Sequence, residues 1–104
     1  MRRAKVFVKG VEAGILTELI RGTDYLFEYF DGYDGLEVSR TMPINVKVYM
    51  FDKFPPFFDG LLPEGAQLEG LLKIKKIDKN DFFSQLIAVG EDMVGVATVK
   101  EVTE

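Results

Sequence analysis

The chain has few residues that could carry out chemistry. It contains no histidine and no cysteine, which removes the commonest general base, the usual zinc ligands, a thiolate nucleophile and any disulfide framework. Carboxylates and lysines remain. The pairs Glu91 with Asp92 and Asp31 with Asp34 sit in loops without the flanking ligands of a calcium loop, so their ordinary reading is a solvated turn. "GEDMVG" sets Gly90 and Gly95 at the separation of a phosphate loop, yet Val96 and Ala97 follow where lysine and a hydroxyl residue are required. That spacing reads as a helix stop and a strand start. Lys73, Lys75, Lys76 and Lys79, in "KIKKIDK", form the one local basic cluster. Its ordinary reading is a solvated helix C-terminus, where cations meet the negative end of the dipole. The expectation is a protein that is not an enzyme, with no catalytic residues, no metal and no cofactor.

Binding is the better-supported chemistry, and "FPPFFDGLLPEG" (Phe54 to Gly65) is its candidate. The pair Pro55 and Pro56 excludes a helix interior there, because each ring removes an N–H and biases the preceding residue to an extended shape. Beyond it, Phe57, Phe58, Leu61 and Leu62 recur at a spacing that suits one or two helical turns ended by Pro63. Such a short element carries more apolar surface than its length needs. The excess either fills the core or touches a partner, and for Phe57 and Phe58 the two readings stand level.

The elements that position this stretch follow from pattern. "AKVFVKG" and "VEAGILTEL" predict a first hairpin, "YLFEYF" a third strand, and "INVKVYMF" a half-buried strand with Ile44, Val46, Val48 and Met50 on its apolar face. The period then changes. Leu68, Leu71 and Leu72 predict a helix ending in the lysines. "DKNDFFSQLIAVG" predicts another, with Asp78 or Asn80 as N-cap, Phe82, Leu86 and Val89 on its main face, and Gly90 as C-cap. "GVATVKEV" predicts a closing strand. Strands first and helices second, with a strand returning, give an α+β domain over residues 1–104: a small antiparallel, barrel-like sheet with two or three short helices in the second half. Its 104 residues suffice for one core. The net charge of −4 argues against nucleic acid, and no apolar run approaches a membrane span. A cytoplasmic protein is expected.

Four segments carry a family resemblance. "VFVKGVEAGILTE" (Val6 to Glu18), "VSRTMPI" (Val38 to Ile44), "FFDGLLPEG" (Phe57 to Gly65) and "DFFSQLIAVGEDMVGVATV" (Asp81 to Val99) resemble, in that order, the N-terminal subdomain of the HipA-type serine/threonine kinase toxins. The family pattern is a strand with a "G…G.L" hairpin, a "SLSLP"-like segment, an "FFdnLLPeg" element and an "LLa.iG.D..GA" closure. Arg40 within the serine-rich segment and Val96 after the glycine depart from it. In that family a kinase body follows, with an ATP loop, a catalytic aspartate and magnesium ligands, and the sequence stops at Glu104 before any of these. The free-standing form resembles the HipS subunits of tripartite HipBST toxin–antitoxin systems.

The resemblance implies an antitoxin that binds and inhibits a HipA-like kinase (HipT) in trans, linked only indirectly to DNA through the helix-turn-helix protein HipB. No membrane partner is expected, since no apolar run is long enough to span one. The contact residues it suggests are Phe57, Phe58, Asp59, Leu61, Leu62, Pro63, Glu64, Gly65, Ala66 and Gln67. Two other readings remain open. One is a non-inhibitory accessory subunit, or the detached N-terminal piece of such a kinase. The other is an unrelated small barrel that stacks single-stranded nucleic acid on Tyr25, Phe27 and Tyr29.

Overall fold

The computed structural model describes residues 1–90 and 96–102. In chain order it forms β1 (Arg2–Val8), β2 (Val11–Ile20), β3 (Asp24–Tyr29), β4 (Val48–Phe51), α1 (Pro56–Asp59), α2 (Gly65–Lys75), α3 (Phe82–Gly90) and β5 (Ala97–Glu101). The strands make one antiparallel sheet in the order β4-β3-β2-β1-β5. It is the α+β arrangement that the pattern predicts. The sheet stays open rather than closing into a barrel, because β4 and β5 end at opposite edges.

Alternation builds the core. Ala4, Val6 and Val8 from β1, Leu16 from β2, Tyr25, Phe27 and Tyr29 from β3, and Val99 from β5 are buried together, since successive strand residues face opposite ways. Phe83 and Leu86 of α3 complete this core with Phe58 of α1 and with Val38, Met42 and Phe54 from the connections. The burial of Tyr25, Phe27 and Tyr29 removes the stacking surface that the nucleic-acid reading needs.

The fourth strand differs from its expected form. It spans only Val48–Phe51, and its apolar residues point away from the core: Val48 is 42% and Met50 66% exposed. Register explains the inversion. Tyr49 pairs with Phe27 and Phe51 with Tyr25, so these aromatics share the core face, and a period of two sends Val48 and Met50 to the other. Ile44 and Val46 lie exposed in the preceding loop.

Helix α3 forms where expected but is capped differently. Asp81 fills the N-cap role: its Oδ1 accepts the Ser84 amide at 3.2 Å and its Oδ2 accepts the Ser84 hydroxyl at 2.7 Å. Asp78 instead accepts the Asn80 amide at 2.8 Å, shaping the turn before the helix. Phe83 rather than Phe82 takes the central inward position. Gly90 is the last helical residue, not a cap outside it. A Cβ there would come within 2.4 Å of the Val99 carbonyl oxygen, so glycine permits α3 to lie directly on β5. The Glu91 and Asp92 pair and the Gly95 end of the phosphate-loop spacing lie outside the described residues.

Candidate partner-docking surface

Two prolines set the geometry of the candidate segment. Pro55 is extended (φ −59°, ψ 132°) and Pro56 occupies the first turn of α1, where a missing N–H costs nothing. The turn continues past Asp59 through bonds from the Leu61 amide to the Phe58 carbonyl and from the Leu62 amide to the Asp59 carbonyl, both 3.1 Å. One residue anchors it. Phe58 is 0% exposed and sits 6.0 Å from the Phe27 ring, with Phe57 edge-on at 5.2 Å. Phe54 pins the approach by packing edge-on against Tyr25 at 5.3 Å.

The ten candidate residues therefore divide. Phe58 belongs to the core. Phe57, Leu61 and Leu62 pack against the core rim and remain half-buried, as does Pro63. Asp59, Glu64, Gly65, Ala66 and Gln67 are exposed. Phe57, Leu61 and Leu62 thus share one short turn of chain with the exposed Asp59, and the Glu64–Gln67 stretch follows directly. At its end the chain turns into α2 through Gly65, whose φ of +59° suits glycine far better than any residue with a Cβ. Gly60 has an ordinary right-handed conformation and no such requirement.

Helix α2 is loosely held. It buries no residue, its N-cap Glu64 makes no side-chain capping bond, and Leu68, Leu71 and Leu72 are only half-buried. Its C-terminal Lys76 takes a left-handed conformation, and the Lys76 amide bonds the Leu72 carbonyl.

A second constellation, absent from the sequence reading, lies around Arg2. Its Nε donates to Glu18 at 2.8 Å, its two terminal nitrogens reach Asp81 at 2.9 and 3.3 Å, and one of them meets the Ser84 hydroxyl at 2.8 Å. Glu18 also accepts the Tyr25 hydroxyl at 3.0 Å and the Gly22 amide at 3.2 Å. The guanidinium lies 5.0 Å over the Phe83 ring. Burial alone would raise the Asp81 carboxyl, but the hydrogen bonds from Arg2 and Ser84 outweigh it and lower its pKa to about 2. Burial, reinforced by the Glu18 carboxylate, pushes the Tyr25 hydroxyl well above its usual range. No buried side-chain nitrogen or oxygen among the described residues lacks a partner, so this is a structural clasp tying α3 to β1, β2 and β3. The signal was available only as Arg2, Glu18 and Asp81, three ordinary charges far apart in sequence.

The "VSRTMPI" segment is held by tyrosines. The Tyr29 hydroxyl accepts the Val38 amide at 2.9 Å and donates to the Met42 carbonyl, while Tyr49 donates to the Pro43 carbonyl at 2.7 Å. Of the weaker chemical candidates, Asp31 forms an ion pair with Lys47. Among the described residues no group of three carboxylates could hold a metal ion, and no helix is long and apolar enough to cross a membrane.

Comparison with known proteins places this geometry. A family model described as HipA N-terminal domain matches residues 4–100. An uncharacterized protein of Haemophilus influenzae is 34% identical over 101 residues, covering 97% of this chain and 93% of that protein. A solved structure, the N-terminal domain of HipA toxin, superposes with a TM-score of 0.78 at 34% identity, covering 100% of this chain and 95% of that one.

Proposed function

Since the chain belongs to the HipA N-terminal domain family, we propose that it acts as a HipS-like antitoxin, binding and inhibiting a HipA-like serine/threonine kinase (HipT) in trans in the cytoplasm. It works as a binding protein and performs no reaction of its own. The observation that carries this reading is the placement of Phe57, Leu61 and Leu62: half-open apolar groups on a turn anchored by the buried Phe58, beside the exposed Asp59 and followed by the exposed Glu64, Gly65, Ala66 and Gln67. A few side chains that become fully buried at the centre of an interface, aromatic ones prominent among them, carry most of its energy. The Haemophilus influenzae relative also supports it, because the sequence match spans 93% of that protein.

The proposed mechanism is occlusion by docking. Phe58 and the two prolines fix the turn, so little ordering entropy is lost when Phe57, Leu61 and Leu62 meet the kinase. The following Pro63 to Gln67 stretch projects toward the kinase active site and holds it closed or misaligned. HipB joins the assembly through the kinase and supplies the DNA contact.

Co-expression of the chain with HipT, scoring growth and recovering the complex through a tag on the kinase, tests the reading. Rescued growth with a stable complex is the expected result. A stable complex without rescue would make the chain an accessory subunit, and no complex would overturn the kinase-binding reading.

A further inference from the structure

We infer that the lysine-bearing end of α2 is a second contact, docking on an acidic surface of the kinase; the inference rests on the reading just proposed. Lys73, Lys75, Lys76 and Lys79 are all exposed, and among the described residues none forms an ion pair. Charge is segregated along the chain. Residues 65–80 carry these four lysines against Glu69 and Asp78, a net of +2, within a total of −4, which leaves −6 on the remainder. The core does not dictate this helix, because α2 buries no residue.

The helix end also keeps a lysine where backbone preference would place glycine. Lys76 has φ 56° and ψ 48°, a conformation that disfavours any residue with a Cβ. Ile74, 79% exposed, stands among the lysines as an apolar contact. The other end of α2 contributes Gly65, Ala66 and Gln67 to the candidate surface. Eleven helical residues, roughly 16 Å at a rise of about 1.5 Å each, therefore join two contacts on one helix.

An acidic protein patch fits better than other polyanions. Nucleic acid would bring its phosphates against a body carrying −6. A membrane surface needs a broad apolar helix face beside the cations, whereas this end of α2 offers Ile74.

Titration of purified HipT with the wild-type chain and with the K73E/K75E/K76E/K79E variant, at low and at moderate salt, tests the contact. The wild type is expected to weaken as salt rises, and the variant to bind about tenfold or more weakly at low salt while still melting cooperatively, its midpoint lowered only by the lost contacts of the lysines with the helix dipole. Lys76→Gly provides a second check that does not threaten the fold, since relief of the left-handed strain should raise the melting temperature while binding falls. Variants that bind as tightly as wild type, with the same salt dependence, would overturn the lysine contact and leave the kinase reading standing. A wild-type chain that fails to bind HipT at all would overturn both. Binding of the wild type, but not the fourfold variant, to phosphatidylserine-containing vesicles or to a single-stranded oligonucleotide, with HipT binding equal for both, would reassign the patch and overturn the inference.

Discussion

Around Arg2, groups from β1, β2, β3 and α3 meet with their buried polar atoms partnered, whereas between Phe57 and Lys75 a single side chain, Phe58, is fully buried. The first region holds the helix to the sheet. The second is attached at one point and leaves Phe57, Leu61, Leu62 and the whole of α2 with surface to spare. The contrast teaches that the side chains holding the fold together and those left open for the proposed docking are separated in this chain. Substitutions can therefore be sorted by which they damage.

The largest loss is expected at the point where the regions join. Phe58→Ala should cost about 3–5 kcal/mol, the usual range for emptying a buried phenylalanine site, and chemical denaturation would measure it. A small loss would mean that the turn is not anchored there. Within the clasp, Glu18→Ala removes partners of Arg2, Tyr25 and Gly22 together, and about 3 kcal/mol is expected from the same measurement.

Acid should loosen the clasp and spare the α1 turn. The Asp81 carboxyl is lowered from 3.8 to about 2, so the unfolded chain binds its proton first as pH falls. The stability that Asp81 contributes is present above about pH 4 and is lost on approach to pH 2, amounting to about 2 kcal/mol. Urea midpoints across this range should fall more steeply for wild type than for Asp81→Asn. Parallel slopes would remove Asp81 from the clasp.

The smallest effects separate the two glycines of the Phe57 to Gln67 segment. Gly65→Ala forces a Cβ into a left-handed conformation and should cost about 1 kcal/mol, although the space around it is open. Gly60→Ala sits in ordinary helical geometry with its nearest contact at 3.4 Å, and should be neutral or stabilising by about 0.5 kcal/mol. Thermal melts of the pair would expose any reversal.

Local signals made much of this legible. Alternating branched and aromatic residues mark β1, β2 and β3, prolines fence α1, and the leucine spacing and lysines outline α2. What pattern could not supply was anything fixed by distant partners. In "INVKVYMF" the more apolar alternation is Ile44, Val46, Val48 and Met50, yet pairing with β3 turns Tyr49 and Phe51 inward. Pattern offers Asp78 or Asn80 as the cap of α3, yet the residue that serves is Asp81, which Arg2 also binds from the far end of the chain. The candidate surface was visible as an excess of apolar residues. Its division into a buried Phe58 and a half-open Phe57 was not, because both occupy one turn and only the position of Phe27 across the core distinguishes them.

The most direct test of a separate docking surface is the affinity of HipT for Leu62→Glu, with the fold of the variant checked by its thermal melt. Leu62 lies at the core rim, and its substitution should leave the clasp and the buried Phe58 in place. A folded variant that binds at least about tenfold more weakly is expected. A folded variant with wild-type affinity would contradict the assignment of the Phe57 to Gln67 surface to the kinase.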